Sequence, residues 1–239
     1  MDNFDKQLIF KYVPENKQAK ALKKLSNNYP VQYIIGNVDF YGIPLKVNKN
    51  VLIPRFETEL LVSKLVEIIN KNHFVSPNIL DVGTGSGCIS IYLKKILNCK
   101  VTAIDKSFKA IKIAKYNSKK TNVTITFKTK SIEKFESKEK FDIIVSNPPY
   151  VSFNEKVDEK TKYEPQNAIF AKDNGLYFYK LILDKSKKML NKKNIIAFEI
   201  GQSQSGYISN YAKSIYPDSK ILIEKDLNQF DRYIFIINE

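Results

Sequence analysis

The stretch Ile79-Leu80-Asp81-Val82-Gly83-Thr84-Gly85-Ser86-Gly87 decides the fold. Its apolar half predicts a buried strand at residues 79–82, and the three glycines allow a tight turn into a helix at about residues 87–97. Backbone amides at such a helix N-terminus favour a polar or anionic ligand. The spacing Gly-x-Gly-x-Gly differs from the Gly-x-Gly-x-x-Gly of dinucleotide-binding loops. The stretch therefore predicts a ligand site at a strand end and weakens an assignment to NAD.

Strand and helix patterns alternate from this stretch to the C-terminus. Further strands are predicted at residues 101–104, 123–127, 141–145, 195–199, 221–224 and 233–237, with helices near 107–120, 174–190 and 203–215. Strands separated by such helices favour right-handed crossovers and a mainly parallel sheet. Residues 225–232 are too few for a crossover helix, so the last two strands should pair antiparallel. This α/β pattern has the layout of the class I S-adenosylmethionine-dependent methyltransferase fold, with seven strands and an antiparallel terminal hairpin.

The residues before the glycines predict a smaller region. Residues 3–28 have the apolar spacing of one or two short helices. Residues 31–53 are expected to be extended, with a turn at Asn48-Lys49-Asn50 and a β-hairpin, and a helix follows at about 58–70. We divide the chain into an N-terminal helical region at 1–29, a β-hairpin linker at 30–54 and a methyltransferase domain at 55–239.

Composition narrows the class of protein. No run of about 18 apolar residues is present, and the N-terminus lacks the basic and then apolar pattern of a signal peptide. Cys88 and Cys99 are too few for a disulfide framework, and the single histidine, His73, is expected at the surface end of a helix. We therefore expect a cytoplasmic protein without a membrane segment and without a metal.

The formal net charge of +14 raises the question of nucleic-acid binding. The basic residues are nearly all lysines spread over the whole length, and the two arginines are Arg55 and Arg232. Proteins that bind phosphates and bases commonly use the planar guanidinium of arginine. We therefore attribute the positive charge to a compositional bias toward lysine and not to a nucleic-acid-binding surface. We expect a monomer that does not bind nucleic acid stably.

A second polar motif, Asn147-Pro148-Pro149-Tyr150, follows the strand predicted at residues 141–145. The two prolines fix φ and lack N–H groups, so the nearby carbonyls face outward as acceptors beside an amide and an aromatic ring. Such a loop suits a planar –NH2 group, because the acceptors take its hydrogens and the ring covers its face. The motif indicates a reaction on an amide or an exocyclic amine.

Asp105 lies 22 residues after Gly83, at the end of the second predicted strand. A carboxylate at this place can accept hydrogen bonds from both hydroxyls of a ribose. The glycines, this acid and the amine-binding motif together favour S-adenosylmethionine as the cofactor. NAD is disfavoured because a residue set for hydride transfer is missing.

Further segments narrow the class of enzyme. They are Pro30-Val31-Gln32-Tyr33-Ile34-Ile35-Gly36, Leu52-Ile53-Pro54-Arg55-Phe56-Glu57-Thr58-Glu59, Tyr163-Glu164-Pro165, Glu199-Ile200-Gly201 with Gln204, and residues 226–232. With the glycines and the Asn-Pro-Pro-Tyr motif, the chain from Pro30 onward resembles the bacterial release factor glutamine N5-methyltransferases, the HemK/PrmC family. Asn-Pro-Pro-Tyr alone also occurs in DNA adenine methyltransferases, and the first two segments are what distinguish this family.

The resemblance implies methyl transfer from S-adenosylmethionine to the glutamine side-chain amide of a Gly-Gly-Gln loop in class I peptide chain release factors. It implies these cofactor-binding residues: Gly83, Thr84, Gly85, Ser86, Gly87, Asp105, Ile132 and Asn147. It implies a substrate pocket formed by Asn147, Pro148, Pro149 and Tyr150. Asn147, Pro148 and Tyr150 would be the catalytic residues, and the release factor would be the partner.

The chain departs from the family pattern in three places. Residues 1–29 are shorter than the helical domain with which the family opens, and that domain helps to hold the release factor. Phe56 replaces the second proline of the family's Pro-Arg-Pro-Glu-Thr-Glu segment. Ser131-Ile132 stands where the family often has an acid and an aromatic residue, and Ile132 can still cover an adenine face.

A glutamine amide nitrogen is a poor nucleophile because its lone pair is delocalised into the carbonyl. We expect Asn147 Oδ1 and the Pro148 carbonyl to accept the two amide hydrogens while Tyr150 stacks on the amide plane. In-line transfer would then depend on positioning and electrostatics, without a dedicated general base.

The remaining charged residues of these motifs receive structural interpretations. Glu57, Glu59 and Glu199 are interpreted as helix caps or surface acids. Arg55 either orients the entering substrate loop or forms a salt bridge that holds the hairpin.

Three alternatives stay open. A DNA or RNA N6-adenine methyltransferase would use the same motif, but should also have a target-recognition domain or an arginine-rich aromatic groove. A ribosomal-protein glutamine methyltransferase would lack the Glu-Thr-Glu run at residues 57–59. A non-catalytic S-adenosylmethionine-binding protein is disfavoured by the intact Asn147 motif.

Overall fold

The computed structural model describes residues 3–239 and begins with a helical region and a hairpin. The elements are α1 (Asn3–Tyr12), α2 (Glu15–Ser26), α3 (Val31–Ile35), β1 (Asn37–Phe40), β2 (Ile43–Lys46) and α4 (Phe56–Lys71). Ile9, Ala21, Leu25 and Val31 form a small core among the first three helices. The predicted N-terminal helices, the hairpin and the helix near residues 58–70 are confirmed. The domain boundaries stay a prediction.

The prediction of an extended conformation is wrong for residues 31–35, whereas the turn predicted at residues 48–50 is present. Residues 31–35 are helical because Pro30, at φ −57°, starts a helix easily and Gly36 ends it in the left-handed region at φ +80°. The hairpin turns at Tyr41-Gly42, where both residues have positive φ, as tight hairpin turns require. The turn at residues 48–50 lies beyond β2 and is closed by the Asn50 N–H, which donates to Asn48 Oδ1 at 2.9 Å.

Apolar runs rich in valine and isoleucine form the central sheet. After the hairpin the strands are β3 (Asn78–Val82), β4 (Lys100–Asp105), β5 (Thr126–Thr129), β6 (Phe141–Ser146), β7 (Val151–Ser152), β8 (Phe170–Ala171), β9 (Leu190–Glu199), β10 (Lys220–Lys225) and β11 (Asp231–Asn238). Within residues 3–239, seven of them form one sheet in the order β10-β11-β9-β6-β3-β4-β5. Neighbours from β9 to β5 are parallel, and β11 pairs antiparallel with both β9 and β10. The predicted methyltransferase layout is confirmed.

Helices cover both faces of this sheet. They are α5 (Cys88–Ile96), α6 (Phe108–Lys120), α7 (Tyr177–Met189) and α8 (Ser205–Ile215). Successive strand residues point to opposite faces. Ile79 and Ile143 therefore pack in a core with α4 and α5, whereas Leu80 and Ile144 pack in a second core with α7 and α8. Over residues 3–239, every helix is too short or too polar to cross a lipid bilayer.

The carboxyl ends of β3, β4, β6 and β9 meet at one edge of the sheet because these four strands are parallel. Asp105 and Glu199 end β4 and β9, while Gly83 and Asn147 directly follow β3 and β6. Ligands of open α/β sheets bind at this edge. The fold therefore brings together residues that lie far apart in the sequence.

Candidate active site

The glycine loop (residues 83–87) leaves β3 through three residues in the left-handed region. Gly83, Gly85 and Gly87 have φ of +77°, +55° and +86°. The N–H groups of Gly83 and Thr84 donate to the Ile104 carbonyl at 2.9 and 3.0 Å, which ties the loop to β4. A Cβ added at Gly83 would find no atom within 4 Å, whereas one at Gly87 would lie 3.2 Å from the Ala114 Cβ. Gly83 thus leaves room for a ligand, and Gly87 allows close packing on α6.

Thr84 and Ser86 are buried beneath the loop. The hydroxyls of Thr84 and Ser90 donate to Asp81 Oδ2 at 2.7 and 2.6 Å. Burial raises the pKa of Asp81 to about 6, although both hydroxyls favour its charged form. Of the loop residues predicted to bind cofactor, Thr84, Ser86 and Gly87 therefore support the loop from behind, while Gly83 and Gly85 face the cavity described next.

Asn117 on α6 joins the glycine loop to the N-terminal hairpin. Its Oδ1 accepts from the Lys46 N–H at 2.8 Å, and its Nδ2 donates to the carbonyls of Lys46 and Ser86 at 3.0 and 2.9 Å. Asn117 is only 1% exposed, so water does not compete for these hydrogen bonds. The Asn117 amide thus pairs with the backbone of Lys46 in β2 as a neighbouring strand would, and it also fixes the carbonyl of Ser86.

A first cavity of about 310 Å³ lies beside the glycine loop. Its lining includes Gly83, Gly85, Asp105, Ile132, Asn147 and Pro149. Asp105 Oδ2 accepts from the Gly85 N–H at 3.0 Å, and Oδ1 accepts from the Ser107 N–H at 2.7 Å. Burial raises the pKa of Asp105, and these two N–H groups oppose the shift. The cavity combines an oriented carboxylate with an apolar wall at Ile132.

A second cavity of about 250 Å³ lies across the NPPY loop (residues 147–150) from the first. Asn147 and Pro148 line both cavities, Tyr150 lines the second, and Pro149 lines the first. Other residues of the second cavity are Leu52, Arg55, Val157, Thr161 and Glu199. The NPPY loop is therefore a shared wall through which two bound molecules could come into contact.

Hydrogen bonds fix the orientation of the Asn147 amide. Its Nδ2 donates to Thr58 Oγ1 at 2.9 Å. Within residues 3–239, no group donates a hydrogen bond to Asn147 Oδ1 or to the Pro148 carbonyl. Two acceptors of the shared wall are therefore available to a donor from outside the protein.

The interpretation of Glu199 as a cap or surface acid is wrong. Glu199 is 1% exposed, and its Oε2 accepts from the Thr58 hydroxyl at 2.7 Å. Burial raises the pKa of Glu199 to about 7, and the Thr58 hydrogen bond and the Arg232 charge oppose the shift. Its place at the end of a parallel strand beside the Asn147 strand was the sequence signal for it. Glu57 and Glu59 do lie in the first turn of α4.

Tyr150 is held from several sides. Its hydroxyl lies 3.5 Å from Glu199 Oε1, and burial, with the nearby Glu199 charge, raises its pKa. Gln204 Nε2 donates to the Tyr150 carbonyl at 2.9 Å, while Gln204 Oε1 accepts from the Gly201 N–H at 2.9 Å. Gly175 packs against the same carbonyl so closely that an added Cβ would lie 2.0 Å from it. The ring therefore stays neutral at physiological pH and its backbone is fixed.

The two arginines lie at this site. Arg55 lines the second cavity and forms a salt bridge with Glu164, a carboxylate with a side chain only 2% exposed. Arg232 Nε donates to Asp226 Oδ2 at 3.1 Å, and Arg232 Nη1 donates to the Ile200 carbonyl at 3.0 Å. Arg55 therefore does form a salt bridge, but its partner Glu164 lies outside the β1–β2 hairpin that the bridge was expected to hold. The salt bridge joins the segment before α4 to the far wall of the cavity.

That far wall (residues 158–164, the wall segment) contacts the N-terminal region. Asn28 Nδ2 donates to Glu159 Oε2 at 3.1 Å, and the Tyr163 hydroxyl donates to the Asn27 carbonyl at 2.8 Å. The rings of Tyr29 and Tyr163 meet edge to face with centroids 4.9 Å apart. The helical N-terminal region therefore supports one wall of the second cavity, which local sequence patterns did not indicate.

The cysteines and the histidine line neither of the two cavities. Cys88 and Cys99 are buried free thiols, and His73 is exposed just beyond the end of α4. In the part of the chain that the structure describes, no group of histidine, cysteine and acidic side chains has the arrangement of a metal site.

Comparison with known proteins places this site in a family. The family model of the methyltransferase small domain matches residues 56–172. A release factor glutamine methyltransferase from Enterococcus faecalis is 39% identical over 223 residues, which cover 91% of this chain and 79% of that protein. The chain belongs to the release factor glutamine methyltransferase family. This family member also resembles a bifunctional methyltransferase from Rickettsia bellii, with 37% identity over 91% of this chain and 44% of that longer protein.

Solved structures agree on the fold of this family member. A methyltransferase from Pyrococcus furiosus superposes with a TM-score of 0.61 and 17% sequence identity, covering 94% of this chain and 98% of that protein. A likeness at this identity shows the class I methyltransferase fold alone. The solved structure therefore does not identify the substrate.

Proposed function

We propose that this family member transfers a methyl group from S-adenosylmethionine to the side-chain amide nitrogen of a glutamine, the one in the Gly-Gly-Gln loop of class I peptide chain release factors. The observation that carries the proposal is the NPPY loop as a shared wall between two cavities, with Asn147 Oδ1 and the Pro148 carbonyl free to accept hydrogen bonds. The release factor is inferred from the relatives, such as the Enterococcus faecalis protein.

The first cavity supports the assignment of the cofactor. When bound, S-adenosylmethionine supplies an electrophilic methyl group. Asp105 would accept hydrogen bonds from its ribose, a role that suits a carboxylate already oriented by two N–H groups. Ile132 would cover the adenine, and the open space at Gly83 would admit the ligand close to the backbone. Thr84, Ser86 and Gly87 would contribute by holding the loop.

The second cavity supports the assignment of the substrate. Asn147 Oδ1 and the Pro148 carbonyl would accept the two hydrogens of a primary amide, while Tyr150 would lie against its plane. With both hydrogens held, the nitrogen lone pair would be directed toward the first cavity, which is the positioning that a poor nucleophile needs. The N–CH3 bond would form as the S–CH3 bond breaks, with the thioether as the leaving group, and one amide hydrogen would be lost to solvent as a proton after transfer. Tyr150 stays neutral, so it would serve as a surface and a hydrogen-bond donor, not as a base.

The identity of the substrate can be tested directly. Purified protein is incubated with radiolabelled S-adenosylmethionine and, separately, with a release factor, total ribosomal protein and DNA. We expect label on the release factor, and we expect it to disappear when the glutamine of its Gly-Gly-Gln loop is replaced by alanine. Label on DNA or on ribosomal protein alone would overturn the proposal.

The role of Asn147 is tested by Asn147→Ala. We expect a loss in kcat of about 100- to 1,000-fold, because a positioned acceptor is removed at the reacting nitrogen. Asn210→Ala, an exposed change on α8, is the matched control and should be neutral. Calorimetry should show S-adenosylmethionine affinity largely retained in both variants. Unchanged turnover in Asn147→Ala would contradict the proposed arrangement.

A further inference from the structure

Glu199 is connected to both side chains that are proposed to hold the substrate amide, Asn147 and Tyr150 (the amide clamp). Through Oε2 it accepts from Thr58, whose oxygen in turn accepts from Asn147 Nδ2. Its other oxygen, Oε1, lies 3.5 Å from the Tyr150 hydroxyl. Thr58 is 2% exposed, so this chain of hydrogen bonds is sealed from water on the protein side. A single buried carboxylate thus connects to the acceptor and to the ring of the clamp.

The direction of these hydrogen bonds follows from the charge of Glu199. An ionised carboxylate can only accept, so the single hydrogen of the Thr58 hydroxyl must point to it. The lone pairs of Thr58 are then left for Asn147, which can satisfy them only with its –NH2 group. Asn147 Oδ1 is consequently directed away from Thr58. The amide of Asn147 has two orientations, and the carboxylate two bonds away selects one of them.

We propose that Glu199, acting through Thr58, is a positioning residue that sets the amide orientation of Asn147 and so presents Oδ1 to the –NH2 group of the substrate. The proposal rests on the proposed function, because it assigns Glu199 a task in that reaction. It goes beyond the NPPY motif itself, since the orientation is set by residues on α4 and β9. Glu199 is not assigned a contact with the reacting atoms.

Protonation of Glu199 should reverse the selection. A neutral carboxyl group has an O–H that can donate to Thr58, which frees the Thr58 hydrogen for Asn147 Oδ1. The turned amide would present –NH2 to the –NH2 group of the substrate, two donors face to face. Burial raises the pKa of Glu199 to about 7, which places this change in an accessible range. Turnover should therefore rise with pH as Glu199 ionises.

Other groups around Glu199 should not produce that rise. The titratable side chains whose charges act with it come from α4, α5, α7, β11 and the NPPY loop: Glu57, Cys88, Tyr179, Arg232, Tyr233 and Tyr150. Burial raises the pKa of Cys88 to about 12 and raises the pKa of each of the three tyrosines. Among these groups, Glu199 is the one with a pKa raised to near neutrality.

Four variants test the proposal in the full-length protein. Thr58→Val removes the hydroxyl at nearly constant volume, Thr58→Ser keeps it, and Glu199→Gln removes the charge. Thr102→Val, a buried threonine in the middle of β4 that lines neither cavity, is the matched control. We expect kcat to fall about 10- to 100-fold in Thr58→Val and Glu199→Gln, as is typical when the partner of a functional side chain is removed. Thr58→Ser should restore kcat relative to Thr58→Val.

Binding and spectroscopic measurements separate positioning from a merely structural role. Thr58 and Glu199 do not line the first cavity, so the calorimetric Kd for S-adenosylmethionine should be unchanged. The rise of kcat with pH should be lost in Thr58→Val and in Glu199→Gln. In protein labelled with 15N-asparagine, the Asn147 side-chain amide signals, assigned by their loss in Asn147→Ala, should shift as the wild-type protein is titrated through pH 7. They should not shift in Thr58→Val.

The outcomes are distinguishable. If wild-type protein labels the release factor but Thr58→Val keeps its kcat and its pH profile, the positioning role is wrong and the proposed function stands. If wild-type protein does not label the release factor, the proposed function fails. The asparagine amide titration then still reports whether Glu199 controls Asn147. An Asn147 signal that ignores both pH and the Thr58 substitution would overturn the inference by itself.

Discussion

Replacing Gly175 with alanine tests how firmly the NPPY loop is held. Gly175 lies in the turn before α7 at φ +84°, a conformation that L side chains rarely adopt. The added Cβ would lie 2.0 Å from the Tyr150 carbonyl oxygen and 2.6 Å from Gln204 Nε2. Neither contact is possible, so the carbonyl, Gln204 or the turn itself must move.

The size of the effect follows from these distances. Ordinary contact with a Cβ begins at 3.4 Å, so the Tyr150 carbonyl must move by about 1.4 Å (3.4 minus 2.0) if it alone gives way. The left-handed conformation costs alanine about 1–2 kcal/mol, and loss of the Gln204 hydrogen bond costs about 1 kcal/mol. We expect the free energy of unfolding to fall by about 2–4 kcal/mol with residual strain included. A displacement of about 1 Å at a positioning group can cost about 100-fold in kcat.

Three measurements check this prediction. Urea unfolding gives the stability, calorimetry gives the affinity for S-adenosylmethionine, and labelled-methyl transfer gives kcat. Gly206→Ala is the control, because a Cβ there meets no atom within 4 Å and the residue lies in α8, where alanine is favoured. Gly175 does not line the first cavity, so cofactor affinity should be kept. Wild-type stability and kcat in Gly175→Ala would refute the idea that this turn fixes Tyr150.

Three further predictions concern the carboxylates and Asn117. Asp105→Ala should weaken calorimetric S-adenosylmethionine binding about 10- to 100-fold, because a charged acceptor is lost; an unchanged Kd would remove Asp105 from the site. Asn117→Ala should lower the free energy of unfolding by about 2–4 kcal/mol through three buried hydrogen bonds, whereas the exposed Asn70→Ala should stay within about 0.5 kcal/mol in the same urea assay. Since the folded state raises the pKa of Glu199 from 4.5 to about 7, it holds this proton more tightly than the unfolded chain does. The free energy of unfolding of the wild-type protein, relative to that of Glu199→Gln, should therefore fall by about 1–3 kcal/mol between pH 4.5 and 7 and then stay level. A rise of this difference over the same pH range would contradict the raised pKa of Glu199.

Residues with a local signature could be predicted from the sequence. The glycine loop, Asp105 and the NPPY loop each follow a strand with a clear apolar pattern, and strand ends in a parallel sheet must converge. The mainly parallel sheet and the antiparallel pairing of its last two strands followed from the lengths of the connecting segments. Such inferences need a few neighbouring residues and a topology rule.

Residues that act through distant contacts could not be found in this way. The Thr58–Glu199 hydrogen bond spans 141 positions, and the Asn28–Glu159 bond spans 131. The place of Glu199 at the end of a parallel strand indicates that it lies near the site, but no neighbouring residue shows that its carboxylate is a buried hydrogen-bond acceptor and not a surface acid. The helix at residues 31–35 was not predicted for a different reason. Five residues are too few to show the apolar periodicity of a helix.

The contact of Asn117 with both the hairpin and the glycine loop limits how this chain can change in length. Helix α6 begins directly after its N-cap residue, Ser107. Each further residue of an α-helix is rotated by about 100° around the helix axis. One residue inserted between Ser107 and Asn117 would swing the amide away from both the Lys46 backbone and the Ser86 carbonyl. The part of α6 before Asn117 therefore has a fixed length, and insertions or deletions among relatives should begin only after this residue.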